Sequence, residues 1–312
     1  MNSTRERIGI AIEAQNTLEA LIQVKEMEEA GVTQAWSTIG GAGRADTMSF
    51  YPVAAKETKK IRLGTSIVPI YPRHPLVLAS EVLAITDLAG INRFRLGVGP
   101  SHRHIIEDSF GIKMHKPLSY LKEYVEVLRD ALSRGEVNHH GEFFNIQAQN
   151  LRKAEIPILV SALGEGAFRL GGEISDGVIS WLCPVPYLLK FGKPQIKDGA
   201  KNRTKEPPLV AHVLVSMSEK ESEAISQTQK RLANYTRSPF YTKMFAKAGF
   251  VIEREGTEGL ARELLVMGND SEIKEKVLKL LESGLDELLL HLIPVSDDKA
   301  ERRKLFEMVG SL

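Results

Sequence analysis

The chain has 312 residues, of which 43% are hydrophobic and 26% charged, as in an ordinary globular protein with a large core. Its 41 basic and 40 acidic residues nearly cancel, which argues against nucleic acid or an anionic membrane as a partner. The one cysteine, Cys183, excludes an internal disulfide framework and suits the cytoplasm. We expect neither a membrane span nor a signal peptide, because no apolar run reaches about 18 residues.

Short apolar runs alternate along the chain with segments of helical period, a pattern typical of repeated β-α units around a parallel sheet. Eight strands are predicted, and they begin at Ile8, Thr33, Ile61, Arg93, Ile156, Gly177, Leu209 and Leu285. The first and last predicted helices lead into their strands through the same glycine-apolar-polar-polar sequence, as units of one barrel would. The predicted fold class is therefore α/β, a (β/α)8 TIM barrel that forms one domain over residues 1–312.

Helix start and stop signals lie between these strands. Asn16 is a capping residue for one helix and Gly31 suits its end, whereas Pro75 and Pro117 fit the first turns of two others. The last predicted helix stops at Gly284. Each of these signals falls where a β-α unit needs a helix boundary.

Two segments interrupt the alternation. Residues 137–146, "VNHHGEFFNI", alternate at period two around a His-Gly pair and predict a surface hairpin. Residues 235–267 have helical composition without a clear apolar face. We expect this segment to be an insertion near the mouth of the barrel, with a lid as one possible role.

The third predicted strand runs into three prolines in "IRLGTSIVPIYPRHP". A proline has no amide hydrogen to donate within a sheet. We therefore expect the strand to end at Val68, with Pro69 and Pro72 in the loop beyond it and Pro75 at a helix start.

In a TIM barrel, catalytic residues come from the carboxyl ends of the strands. These ends carry no carboxylate cluster, no metal-ligand set and no G-x-S-x-G elbow, so glycosidase, metal-dependent and serine-hydrolase chemistry are not favoured. The predicted site therefore holds no metal. It must rely on other residues or on a cofactor.

The segment "RLGVGPSHRH" is the strongest candidate among the strand ends. Gly99 allows close approach of a ligand to the backbone, and Ser101, His102 and Arg103 can donate hydrogen bonds to an anion or a ring carbonyl. The alternative is an exposed polar loop. The turn in "ILVSALGEGAFRL" is a second candidate, because a helix N-terminus can bind phosphate, although Gly164 could equally be structural.

Isolated aromatic and histidine residues give weaker signals. Trp36 favours a core position, whereas Trp181 could line the mouth and contact substrate. His212 and His291 lie within strands, where histidines are more often satisfied core residues than catalysts. Cys183 has no basic neighbour in sequence to activate it, so we expect an inert thiol.

Four segments together carry a family resemblance: "IRLGTSIVPIYPRHP", "RFRLGVGPSHRHIIEDSFGI", "YLKEYVEVLRDALSRGEVNHHGEFF" and "VSALGEGAFRLGGEISDGVISW". In this order they resemble the bacterial-luciferase-like flavin oxidoreductases, and more narrowly the branch that uses the deazaflavin coenzyme F420. The similarity extends from about Ile8 to Ile293. It implies a (β/α)8 barrel with an insertion, and a cofactor ring bound at the carboxyl-terminal mouth.

The resemblance also implies which residues bind the cofactor. A non-proline cis peptide is expected between Ser66 and Ile67, against the centre of the ring. The remaining expected cofactor-binding residues are Thr38, Gly99, Pro100, Ser101, His102, Ala162, Leu163, Gly164 and Gly166, the last four through the phosphate.

Alcohol-oxidising members of the deazaflavin branch carry a histidine after the second strand and a glutamate after the fourth, and this sequence has neither. A reductase acting on an activated double bond or a similar acceptor is therefore expected, with His102 or Arg103 polarising or protonating the acceptor. Two alternatives stay open, an FMN-dependent monooxygenase and a barrel that binds a flavin without turnover. Members of the family commonly form homodimers, and we expect one here.

Overall fold

Eight parallel strands close into a barrel in the computed structural model, which describes residues 3–37, 46–90 and 92–312. The strands are β1 (Ile8–Ile12), β2 (Gln34–Ser37), β3 (Arg62–Thr65), β4 (Phe94–Gly99), β5 (Ile158–Ser161), β6 (Gly177–Ser180), β7 (Leu209–Ser216) and β8 (Glu287–Leu292). Each strand pairs with the next in chain order, and β8 pairs with β1 to close the ring. The predicted (β/α)8 TIM barrel is confirmed.

Helices surround the barrel and bury one face against it. The longer helices are Thr17–Glu29, Thr47–Glu57, Pro75–Ala89, Pro117–Arg129, Glu165–Ile174, Lys193–Gly199, Glu221–Leu232, Pro239–Lys247, Glu258–Leu264, Asp270–Glu282 and Asp298–Gly310. The predicted boundaries at Asn16, Pro75 and Pro117 are confirmed, and Gly31 and Gly284 follow their helices with positive φ angles of 89° and 110°. Four of these helices lacked a sequence prediction: Thr47–Glu57, Lys193–Gly199, Glu221–Leu232 and Asp298–Gly310.

The third strand differs from its prediction. β3 ends at Thr65, the Ser66-Ile67 peptide is cis, and a short strand Val68–Pro69 then pairs with β4. The prediction that Pro69 lies in a loop is therefore wrong. A proline is tolerated in this pairing because the next residue supplies the donor: the Ile70 amide donates to the Gly99 carbonyl at 3.0 Å.

The two interrupting segments have defined structures. Val137–His140 and Asn145–Ala148 form an antiparallel hairpin, as predicted. The segment 235–267 contains the helices Pro239–Lys247, Ile252–Glu255 and Glu258–Leu264. It ends in a short strand, Leu265–Met267, that pairs with the carboxyl end of β7. The end of the segment therefore lies at the mouth of the barrel.

The middle of the barrel is apolar and tightly filled. Its side chains form a cluster that comprises Ala11, Trp36, Leu159, Ile179, Val210 and Leu289. Trp36 is 1% exposed, as the sequence favoured, and two glycines make room for it. A Cβ atom on Gly9 or Gly64 would lie 2.6 Å and 2.5 Å from the indole, well inside contact distance.

The amino-terminal end of the barrel is closed by paired polar groups. Arg95 donates to both carboxylate oxygens of Glu287, at 2.6 and 3.1 Å, and to Gln34 Oε1 at 3.1 Å. The guanidinium also lies 4.9 Å from the centre of the Trp36 ring. This group, which we call the base plug (Gln34, Arg95 and Glu287), satisfies its charges internally.

Candidate active site

Side chains alternate along a strand, so a residue two positions beyond the apolar middle layer faces the interior one layer higher. Counting in this way from the middle layer defines a mouth layer, whose described members are Glu13, Ser66, Gly99, Ser161, Trp181, His212 and His291. Unlike the middle layer, it is mostly polar. In TIM barrels, this carboxyl-terminal end carries the active site.

A carboxylate and two basic side chains meet on one side of the mouth layer. Glu13 Oε1 lies 2.6 Å from His291 Nδ1 and accepts a hydrogen bond from Arg231 Nη2 at 2.7 Å. Burial raises the pKa of the Glu13 carboxyl, but the hydrogen bonds and charges that His291 and Arg231 supply outweigh it and lower this pKa to about 2. Glu13 is therefore ionised at neutral pH.

Trp181 and two histidines form an aromatic group beside this carboxylate. The Trp181 ring lies 4.8 Å from the rings of both His212 and His291, and the two imidazoles stack at 5.2 Å. Arg231 lies 5.9 Å from the centre of the indole. Trp181 thus lies at the mouth, as the sequence suggested, and its contact with substrate stays a prediction.

Several polar atoms in the mouth layer are buried without a protein partner among the described residues. They are Ser66 Oγ, both ring nitrogens of His212, and His291 Nε2. The interpretation as satisfied core histidines is therefore wrong for His212, and His291 is satisfied at Nδ1 alone. Burial first, and then the charges of His291 and Arg231, hold the pKa of His212 well below its ordinary value, so its ring is neutral.

Ser66, Ile67 and Gly99 lie together at the end of β3 and β4. The cis peptide expected between Ser66 and Ile67 is present. A Cβ atom on Gly99 would lie 2.1 Å from Ser161 Oγ and 3.2 Å from the end of the Ile67 side chain. Glycine is thus the residue that fits at this position.

The loop after β4 places His102 and Arg103 differently. The His102 ring packs 5.7 Å from both Tyr235 and Tyr241 of the 235–267 segment. Burial, and then the charge of His104, lower the pKa of His102. Arg103 is exposed, and its guanidinium is paired with Glu107 and donates to the Met114 carbonyl at 2.9 Å, so the structure does not bring it to the mouth layer.

The preceding residues Pro100 and Ser101 carry the chain from β4 toward His102. Ser101 has a positive φ angle of 64°, which turns the backbone sharply at this point. Thr38, expected in the cofactor site, lies outside the described residues.

The turn after β5 begins a helix, Glu165–Ile174, with Gly164 as its N-cap. A Cβ atom on Gly164 would meet Phe240 alone, at 3.6 Å, so the space beside this helix end is open. Lys247, from the same helix as Phe240, pairs with Glu165. Free amides of a first turn can hold a phosphate here.

Among the remaining residues of this turn, Ala162 and Leu163 are less suited to that role. The Ala162 amide donates to the Ile179 carbonyl at 2.8 Å and is not available to a phosphate. The Leu163 carbonyl accepts from the Tyr187 hydroxyl at 3.0 Å. Gly166 lies within the first helical turn, with a Leu118 methyl 3.5 Å from its Cβ position.

Sequence reasoning missed Arg231 and assigned no role to Glu13. Their contact joins residues 218 positions apart, and neither lies in a recognisable motif. One signal was available: counting two residues beyond the apolar middle layer on β1 and β8 places Glu13 and His291 on the same interior layer.

The comparisons with known proteins agree with this geometry. Residues 4–287 match the model of the luciferase-like monooxygenase family. The chain is 28% identical over 246 residues to the 5,10-methylenetetrahydromethanopterin reductase of Methanolobus tindarius, an alignment that covers 76% of this chain and 71% of the relative. It is also 28% identical to a Mycobacterium tuberculosis protein with the provisional name of a coenzyme F420-dependent oxidoreductase, over 52% of this chain and 50% of that one.

A solved structure shows the same fold. The coenzyme F420-dependent tetrahydromethanopterin reductase of Methanopyrus kandleri superimposes with a TM-score of 0.79 at 22% identity, and 97% of each chain is covered. Among the described residues, no helix is long and apolar enough to cross a membrane, and no group of three or more His, Cys, Asp and Glu side chains could hold a metal. The match over residues 4–287 establishes that the chain belongs to the luciferase-like monooxygenase family, as its four segments indicated.

Proposed function

We propose that this protein is a coenzyme F420-dependent oxidoreductase that acts as a reductase on a small organic substrate. Two of the proteins compared above carry names that include this coenzyme, and a third is named as a reductase. The reductase direction is supported by the absence from the sequence of the histidine and glutamate of the alcohol-oxidising members.

The observation that carries the proposal is the set of unpartnered polar atoms in the mouth layer. Ser66 Oγ, the His212 ring nitrogens and His291 Nε2 are buried where a structural core would pair them. A deazaflavin ring has carbonyl and N–H groups along its edge and a flat apolar face. It can satisfy such atoms and pack against Ile67, which lies beside the apolar middle layer.

The rest of the cofactor would extend across the neighbouring strand ends. Gly99, Pro100, Ser101 and His102 would lie along it, and Thr38 remains a proposed contact. The Gly164 turn would hold the phosphate, with Gly166 in the same helical turn. Ala162 and Leu163 would shape the turn and leave the phosphate to the amides beyond them.

When bound in its reduced form, F420 would supply a hydride, and the protein would orient the acceptor. His102 faces Tyr235 and Tyr241 at the rim, where it could hydrogen-bond an acceptor as a neutral imidazole. Arg103 would first have to leave Glu107, so we assign it no direct role.

The test is equilibrium binding of F420 and of FMN to the purified protein. We expect F420 to bind saturably, and Gly164→Leu to weaken it at least about tenfold, or about 1.4 kcal/mol, by blocking the phosphate turn. Thermal stability should not change, because the space beside Gly164 is open. The matched control is Gly259→Leu, at an exposed helical glycine outside the site, which should bind F420 normally.

Tight binding of FMN without binding of F420 would contradict the proposal and favour an FMN-dependent monooxygenase. Binding of F420 without reduction of any acceptor would favour a barrel that binds a flavin without turnover. Unchanged affinity in Gly164→Leu would place the phosphate elsewhere.

We further propose that residues 1–312 form one domain, with 235–267 as an insertion, and that the protein is a cytoplasmic homodimer. Exposed apolar side chains on neighbouring helices support a dimer: Leu18 is 67% exposed, Ile22 49% and Val53 46%. Cytoplasmic location is supported by the single, buried cysteine.

A further inference from the structure

The contact between Glu13 and His291 has the form of a carboxylate-imidazole pair. We propose that His291 is the catalytic residue that supplies the proton in the reduction, with Glu13 and Arg231 as positioning residues. This inference rests on the proposed function and deepens it by naming the proton donor and the class of acceptor.

The geometry fixes which nitrogen of His291 faces the carboxylate. Nδ1 lies 2.6 Å from Glu13 Oε1, and Arg231 Nη2 donates to the same oxygen at 2.7 Å and lies 3.2 Å from Nδ1. Because Glu13 is ionised and can only accept, the short contact between Nδ1 and Oε1 requires that Nδ1 carry the proton. With Nδ1–H donating to Glu13, Nε2 is the atom that can give and take a proton.

The surroundings of Nε2 suit this role. It is buried without a partner among the described residues, beside the neutral ring of His212. The charged groups around His291 are Glu13, which directly follows β1, and Arg231, from helix Glu221–Leu232, so an imidazolium here would share the single carboxylate with the guanidinium. The Trp181 ring packs edge-on 4.8 Å from the His291 ring, and His291 is 1% exposed, so neighbouring side chains would have to move for an acceptor to reach Nε2.

His102, the histidine chosen from the sequence, lacks such a partner among the described residues. Its ring contacts are the rings of His104, Tyr235 and Tyr241. A carboxylate that orients an imidazole and stabilises its charged form is the recurring arrangement of histidine acid-base catalysis. This distinguishes His291 from His102.

The acceptor class follows from the chemistry. Hydride adds to one carbon of a polarised double bond, such as that of an α,β-unsaturated carbonyl compound, and the π electrons move to the other end of the conjugated system. That end takes the proton of Nε2–H, whose N–H bond breaks and leaves His291 neutral. Bound reduced F420 would supply the two electrons as hydride, the acceptor would gain that hydride and one proton, and solvent would return a proton to His291.

The first test needs no cofactor. In protein with ¹⁵N-labelled histidine, NMR should show the neutral His291 ring protonated at Nδ1. Glu13→Gln should keep this tautomer, since its amide oxygen can still accept, and Glu13→Ala should lose it. A neutral ring protonated at Nε2 in the wild-type protein would overturn the proposal, whatever the protein does with F420.

The second test measures single-turnover reduction of 2-cyclohexenone by reduced F420. His291→Gln should slow the reaction about 100-fold or more, with F420 affinity within about twofold of wild type. His140→Gln, on the exposed hairpin, is the matched control and should react normally. Glu13→Gln should slow the rate of reduction at saturating enone more than it changes the KM for enone. The substitution removes the negative charge that stabilises protonated His291 but keeps an oxygen that accepts its hydrogen bond.

The outcomes separate this inference from the proposed function. A His291→Gln rate within about threefold of wild type would overturn the inference and leave F420 dependence standing, and so would wild-type protein that binds F420 but never reduces the enone. Failure of wild-type protein to bind F420 would overturn the proposed function. The NMR result would then still support or overturn the Glu13–His291 pair.

Discussion

The two ends of the barrel treat buried polar groups in opposite ways. In the base plug, Arg95 donates to Glu287 and to Gln34 within 3.1 Å. In the mouth layer, His212 is just as buried but neither ring nitrogen has a protein partner. The same barrel therefore contains one buried polar group whose hydrogen bonds are made within the chain, at the base. At the mouth it contains another group whose nitrogens are left available to a ligand.

The difference indicates where stability and function lie. A paired interior charge holds the fold, because removing one partner leaves the other largely buried without an opposite charge. An unpartnered interior group costs stability, and such groups persist mainly where a ligand uses them. The apolar layer around Trp36 separates the two ends, so each can be altered with little effect on the other.

The largest expected effect is at the base. Glu287→Gln should lower the free energy of unfolding by about 3 to 5 kcal/mol, because it leaves the buried Arg95 guanidinium without its charge partner. Denaturant unfolding measures this. F420 binding should survive, since the change lies two layers below the mouth.

The matched control is an exposed ion pair of similar length. Lys116 and Glu142 lie 2.7 Å apart, with about half of each side chain exposed. Glu142→Gln should cost no more than about 0.5 kcal/mol. A loss at Glu287 as small as this would show that the base plug does not hold the barrel, and the comparison of the two ends would fail.

A smaller effect of opposite sign is expected at the mouth. His212→Leu should raise the free energy of unfolding by about 1 kcal/mol, because it replaces two unpaired buried nitrogens with an apolar group of similar size. F420 binding should weaken in the same variant. His140→Leu, on the exposed hairpin, should change stability by less than about 0.5 kcal/mol. A clear loss of stability in His212→Leu would mean that this histidine is structural.

The fold could be predicted from the sequence because its signals are local. Apolar runs at Ile8 and Leu209, the proline at Pro75 and the glycine at Gly284 each mark an element boundary through the geometry of a few neighbouring residues. Helix Thr47–Glu57 was not predicted. It contains Pro52, a residue that normally argues against a helix interior.

The site was only partly predictable. Ser66, Gly99, Gly164 and Trp181 lie on segments whose order carries the family resemblance, and the structure places them at the mouth or beside it. The Glu13–Arg231 contact joins distant parts of the chain and is visible only after the barrel closes. Whether a buried histidine is satisfied likewise depends on partners from other strands, which is why His212 and His291 were misjudged.

Hydrogen exchange with and without F420 tests the central claim most directly, namely that the mouth binds the cofactor and the base does not. At saturating F420, exchange should slow in peptides covering residues 99–104, 162–168 and 235–241, and should be unchanged in those covering 92–96 and 284–288. Protection at the amino-terminal end of the barrel, or no protection at the mouth when F420 is bound, would contradict the account.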